Sequence, residues 1–228
     1  MPKFDVTKLN VAIDELLETT TNPRHRFLLM AYSRHRYLEV AGRYEEIFAA
    51  DMMAMDPHYH FTQAGNNIEL SGRTKSRVCI KCGPKPTRLF FSLRMKMWRS
   101  PTISFVPGSR STSRSVERDS SKERCSPTFP VSHFIVEKAL SAKGFKPNDN
   151  DTYLYKMVGM QMVWPYDDRG RLLGEYQWEP EPSKAEVFKL APEDVLTTEE
   201  SGKLLAPFIK PLPSYDEMVL GKRSVSAA

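Results

Sequence analysis

The stretch Thr152–Pro180, TYLYKMVGMQMVWPYDDRGRLLGEYQWEP, decides the fold. Two runs rich in aromatic and apolar residues flank Asp167-Asp168-Arg169-Gly170, a turn signal of the kind that joins neighbouring strands. The pattern predicts a terminal long hairpin, so the chain contains a sheet. What precedes it is of a different character.

Working outward toward the N-terminus, residues 7–20, TKLNVAIDELLETT, place Leu9, Val11, Ile13, Leu16 and Leu17 near helical spacing, with Thr7 as the N-cap candidate. Asn22-Pro23 punctuates the chain, and Pro23 suits the first turn of a second helix. Residues 24–49 read as one or two amphipathic helices. Phe27, Leu28, Ala31, Leu38 and Ala41 form the apolar face, with Arg24, Arg26, Arg34 and Arg36 on the other. Gly42 breaks this run before the short helix RYEEIFAA. After Asp56-Pro57 the run HYHF is aromatic and strand-like, Asn66-Asn67 reads as a turn, and IELSGR as a second short strand. In the tail a helix is expected from about Pro192 to Ile209, opened by a capping box at Thr197–Glu200 and ended by Pro211 and Pro213. Helices first and a sheet after give an α+β protein.

A length of 228 residues suits one medium domain with extensions, and 40% hydrophobic with 27% charged residues is ordinary for a soluble chain. The start MPKFDVTKLN has no apolar h-region, and no run approaches the roughly 18 apolar residues of a membrane span. A cytoplasmic protein without a membrane partner is expected.

One segment departs from this picture. Between Arg73 and Arg124 fourteen Lys/Arg stand against three acidic residues, Glu117, Asp119 and Glu123, whereas the whole chain is only +5. Everything outside this segment is therefore acidic. No alanine occurs between Ala64 and Ala139, and no tyrosine between Tyr59 and Tyr153. Residues 73–133 are either a basic functional insert or a stretch translated out of frame, the altered frame covering about residues 74–135. The genetic code permits the shifted frame to spell LYKMWAETNQ across Val78–Arg88, a helical pattern, and DEDVAVADHF across Arg94–Ser104, an alternating strand pattern.

RYEEIFAADMMAMDPHYHF (Arg43 to Phe61), the SGR that follows (Ser71 to Arg73) and MQMVWPYDDRGRLLGE (Met160 to Glu175) resemble the SnoaL-like polyketide cyclase family of the nuclear transport factor 2-like superfamily, over about 110 residues. That superfamily includes ketosteroid isomerase and scytalone dehydratase. A helix ending in Trp-Ala and a strand carrying Val-Ala-Val lie between those blocks in the family, and the shifted frame supplies both. The resemblance implies a cone-shaped, curved, mostly antiparallel sheet packed on N-terminal helices. It implies a single domain over residues 1–190, with residues 1–22 as a helical extension and residues 191–228 as a C-terminal helix and tail. It further implies a cofactor-independent, metal-free isomerase, dehydratase or cyclase for a hydrophobic small molecule, and a homodimer. Such a fold hosts many activities. A non-catalytic ligand-binding or dimerisation module is the alternative.

Asp56, His58, Tyr59 and His60 form the first candidate cluster. In a strand His58 and His60 share one face and Tyr59 takes the other. Asp56, His58 or His60 would be the base that abstracts a proton next to a carbonyl, with Tyr32 as polar helper. Tyr37, Tyr59, Tyr155, Met162 and Trp164 are the expected pocket residues, with Tyr153, Met157 and Met160 as further wall candidates; structural roles for all of these are the plain alternative. Cys79 and Cys82 have half of a zinc-knuckle spacing, with Cys125 and His133 as distant completers, but a structural zinc site needs two close pairs. The basic run interleaved with Phe90, Phe91 and Trp98 is a third, less favoured possibility, a nucleic-acid surface. In the shifted frame the strand would end in Asp-His where the chain has Pro101, Thr102 and Ile103.

Overall fold

The computed structural model describes residues 5–63, 65–74, 76, 89–91, 140–141, 143–144, 152–156, 161–194 and 196–222. The fold is α+β, with helices at both ends of the chain and a four-stranded mixed sheet between them. Most of the basic segment, the three cysteines, His133, Trp98, Met157 and Met160 lie outside the described residues. So do both elements that the shifted frame would encode.

The N-terminus begins one step earlier than its pattern predicts. The Asp5 side chain accepts from the Thr7 backbone N–H at 3.1 Å and caps a 3-10 turn over Val6–Lys8. The first helix, α1 (Val11–Thr19), follows Asn10. Asn10 is buried and donates from Nδ2 to the Ser33 carbonyl and hydroxyl, both at 2.9 Å, tying α1 to the next helix. That helix, α2 (Pro23–Val40), starts with Pro23 in its first turn and the Asn22 side chain accepting from His25 N–H at 3.0 Å. Gly42 follows it in the left-handed region, before α3 (Tyr44–Ile47).

The sheet is built from β1 (Met53–Gln63), β2 (Asn66–Ser71), β5 (Gln161–Val163) and β6 (Leu172–Trp178), in the order β2-β1-β6-β5. β1 pairs antiparallel with β2 and parallel with β6, and β5 is antiparallel to β6. β1 is thus an eleven-residue central strand that extends well beyond HYHF. Asn66 already belongs to β2, so the turn falls at Gly65 and not at the two asparagines. The β1–β6 register shifts between Met53 and His58. Gly174 sits at that shift with φ +146°, where an added Cβ would lie 1.6 Å from the His58 carbonyl oxygen. No side chain fits there.

A second, three-stranded sheet has the order β3-β4-β7, from β3 (Leu89–Phe91), β4 (Thr152–Lys156) and β7 (Glu186–Leu190). The two halves of the opening stretch therefore part company. TYLYK joins β7, while QMV forms the hairpin with β6. In the hairpin turn the Asp167 carboxylate accepts from the Arg169 and Arg171 backbone N–H groups at 2.9 Å and from Arg171 Nε at 2.8 Å. Gly170 closes the turn at φ +73° against Phe27, and Arg24 of α2 donates to the Asp167 carbonyl at 2.9 Å.

The core lies between α2 and the sheet: Phe27, Leu28, Ala31 and Leu38 pack with Ile47, Phe48, Met52, Met53, Tyr59, Tyr166 and Leu172. A smaller cluster of Val6, Tyr37, Ala41 and Leu205 joins the N-terminal turn to α4 (Thr198–Leu205). The Thr197–Glu200 capping box is present, but the expected long tail helix is α4 flanked by 3-10 turns at Pro192–Asp194 and Ala206–Phe208. A last short helix, α5 (Tyr215–Met218), sets Tyr215 edge-on against Phe27.

Candidate functional site

Pleating separates the sheet into two faces with different chemistry. The face turned from the helices carries His58 and His60 on β1 and Tyr176 and Trp178 on β6. His58 Nδ1 is 2.9 Å from Ser71 Oγ, and His60 Nε2 is 2.5 Å from Asn67 Oδ1. The His58 ring lies 5.7 Å from Tyr176, and Tyr176 stacks on Trp178 at 6.3 Å. His58 and His60 do share a face, as half-exposed partners of neighbouring polar and aromatic residues. Asp56 is exposed, near Gly72.

The opposite face meets α2. Tyr32, His35, Arg36 and Glu39 recur at helical spacing and turn one side of α2 toward the sheet. Across from them stand Trp164, just after β5, with Tyr166 and Glu175 of the hairpin. Tyr59 pairs in register with Glu175, and Met162 with Gln177, so Tyr59 and Met162 belong to this face too. The structure thus brings Tyr32, Tyr59, Met162 and Trp164 onto one side of the sheet and His58 and His60 onto the other. Tyr37 is in neither group; it packs in the smaller cluster, 5.6 Å from Phe208. Tyr155 lies in β4 opposite Val187, in the other sheet, and the side chains of Tyr153 and Tyr155 lie outside the described residues.

Two residues of this inner face are corrections or additions to the sequence reading. Arg36, assigned there to the polar side of α2, is only 9% exposed and ion-pairs with Glu39. Glu175 is 6% exposed and was not a candidate. Its signal is slight: one acid in the otherwise uncharged run Leu172–Trp178.

The electrostatics follow from burial. Removal from water, then repulsion by Glu39, pushes the Glu175 carboxyl up to about 8, against the opposing pull of Arg36 and a 3.0 Å hydrogen bond donated by Gln177. At neutral pH Glu175 is mostly a neutral acid with a proton to give. Burial opposes charge on Arg36 as well, but Glu39, Tyr32 and Glu175 together hold the guanidinium on. A single cation thus serves two carboxyl groups, and leaving one of them protonated is the balanced state. Burial also raises the phenols of Tyr32 and Tyr166, which therefore remain O–H donors. His35, buried beside Arg36, is pushed down to about 3 and is a neutral imidazole.

Trp164 completes the group. Its ring is edge-on to both Tyr32 and His35, each at 4.6 Å. Its Nε1 is buried without a hydrogen-bond partner among the described residues. The arrangement offers several hydrogen-bond donors around one carboxyl whose proton is exchangeable near neutrality, within aromatic and thioether walls. Such a set can polarise a carbonyl and move a proton beside it. Among the described residues there is no group of three or more His, Cys, Asp or Glu that could hold a metal, and no helix is long and apolar enough to cross a membrane. The chain matches no protein-family model, no curated protein and no solved structure.

Proposed function

We propose that the inner face between α2 and the β5–β6 hairpin is the acid–base site of a cofactor-independent enzyme, an isomerase, dehydratase or cyclase for a hydrophobic small molecule, on the cone-shaped fold of the SnoaL-like family. The observation that carries this reading is Glu175, a buried carboxyl pushed up to about 8 beside a phenol and a guanidinium. A group that titrates near the working pH can both take and return a proton, as isomerisation requires. Glu175 is the acid–base residue in this reading. Tyr32 donates its O–H to the substrate oxygen as negative charge develops there, and Arg36 holds the carboxylate during the half of the cycle in which it is charged. The family resemblance extends the reading to a homodimer.

The test is exchange of α-protons of a panel of cyclic ketones and enones in deuterated water, followed by proton NMR. Wild-type protein should catalyse exchange with a rate that rises toward pH 8. Glu175→Gln should lose about a hundred-fold or more. Exchange that survives in Glu175→Gln but disappears in Asp56→Asn or His58→Gln would move the base to the outer face. Ligand binding without exchange in any variant would mark a non-catalytic module.

A further inference from the structure

The outer face of the sheet carries two metal-type ligands that the acid–base step at Glu175 does not use. His58 and His60 stand on β1 with one residue between them, so their Cα atoms are about 6.6 Å apart on the same face. Two imidazoles at that spacing can meet on a single ion through metal–nitrogen bonds of about 2 Å. Each ring is already held by its other nitrogen. The Asn67 amide oxygen is 2.5 Å from His60 Nε2 and can only accept, so Nε2 carries the proton and Nδ1 keeps a lone pair. His58 Nδ1 is 2.9 Å from Ser71 Oγ, which accepts from it in the tautomer that frees Nε2. A neutral acceptor behind one ring nitrogen fixes the ring and raises the basicity of the other, as metal-ligating histidines require.

The surroundings suit a cation. Both rings are half-exposed, and Gly174, paired with His58, has no side chain to cover it. Tyr176 and Trp178 wall the β6 side, 5.7 Å from His58 and 6.5 Å from His60. The strands β1, β2, β5 and β6 contain no Lys or Arg, and Glu69, in register with His60, puts a carboxylate on the same face. We infer that His58 and His60 together bind one divalent transition-metal ion, copper(II) most tightly, with Ser71 and Asn67 orienting the two rings. No group of three ligands exists here among the described residues, so water fills the remaining positions and the ion is exchangeable. Imidazole ligands with open tetragonal positions suit copper(II), which also stands highest in the affinity order of the divalent first-row ions. This site lies across the sheet from Glu175 and does not depend on the acid–base proposal.

The experiment titrates copper(II) chloride into the full chain, its three cysteines first alkylated, with glycine as a competing chelator. Quenching of tryptophan fluorescence reports binding, and nitrogen hyperfine structure in the electron paramagnetic resonance spectrum counts the imidazoles. Wild-type protein should bind one ion through two imidazole nitrogens, and zinc(II) should displace it only in large excess. His58→Gln and His60→Gln should each leave one such nitrogen and weaken binding by about ten-fold or more. Asn67→Leu should keep both nitrogens and weaken binding about ten-fold. The wild-type spectrum decides even where a variant fails to fold: one imidazole nitrogen or none overturns the inference. Equal binding by the His58→Gln/His60→Gln double variant would place the ion on other histidines of the chain and overturn it too. Equal binding by Asn67→Leu would reduce the pair to casual surface chelation, and the oriented site falls.

Discussion

On β1, Tyr59 sits between His58 and His60 in sequence and on the opposite side of the sheet from both. Tyr59 is 1% exposed and packs in the core, whereas the two histidines lie half-exposed against Ser71, Asn67, Tyr176 and Trp178. The same alternation on β6 buries Glu175 and leaves Tyr176 half-exposed. The outer face carries residues whose types suggest catalysis but leaves them near water. The inner face carries a glutamate of no special pattern and, by burying it, changes its acidity. Side-chain identity proposes a site; the dielectric around it decides which proton can move.

The sharpest way to break this comparison is to remove the alignment of the two central strands. Gly174→Ala places a Cβ onto the His58 carbonyl at a φ that other residues rarely adopt, so β1 and β6 must separate. A loss above about 4 kcal/mol, or failure to fold, is expected in denaturant unfolding. Next come neighbours of opposite burial: Tyr59→Ala should cost about 3–5 kcal/mol. A cost under 1 kcal/mol would mean that the inner face is not packed as described.

The pH dependence of stability sharpens the comparison further. Glu175 titrates at about 8 in the folded chain and near 4.5 when unfolded. As pH rises the unfolded chain loses this proton first, so stability is full below about pH 4.5, falls up to about pH 8 and then levels. His35 acts in the opposite sense. Pushed down from 6.5 to about 3, it makes stability fall as pH drops through that window. The groups around this pair are Arg36, Glu39, Tyr32, Tyr166 and Gln177. Between about pH 4.5 and pH 6.5 the two slopes oppose each other, so thermal melts from pH 6.5 to pH 8.5 should show a decline on the order of 2 kcal/mol in wild-type protein that Glu175→Gln removes while keeping the acid limb. An unchanged alkaline limb in that variant would place the titrating group elsewhere. The smallest effect belongs to the outer face: His60→Ala should change stability by less than about 1 kcal/mol, measured in the same melts.

Local chemistry was legible in the sequence where it is self-contained. Asn22-Pro23 starts α2, the Thr197–Glu200 capping box opens α4, and Asp167 organises its turn by accepting from backbone groups two and four residues on. Each of these depends on a handful of neighbours. The period-2 pattern likewise separated Tyr59 from His58 and His60. What was not legible depends on partners far along the chain. Arg36 reads as a solvent-facing charge until Glu39 and Glu175 surround it. The parallel pairing of β1 with β6, and the division of the terminal β-rich stretch between two sheets, are choices among distant strands that no local pattern encodes. Tyr37 shares α2 with Tyr32 but faces Leu205, because the tail returns to pack there.

The parallel contact between β1 and β6 also has a consequence in time. β6 follows β1 by about 110 residues of chain. At ribosomal speeds of about 5–20 residues per second, β1 leaves the exit tunnel roughly 5–20 s before its central neighbour exists. During that interval β2 is its strand partner in this sheet, and the backbone groups of its other edge are open to any passing strand. Thermodynamically the long connection is cheap, since each doubling of a loop adds only about 0.6 kcal/mol. Whatever residues 73–133 encode, their length weighs little on the finished sheet and heavily on the nascent one. Yield in a cell lacking its ribosome-associated chaperones is where such a chain would first show the difference.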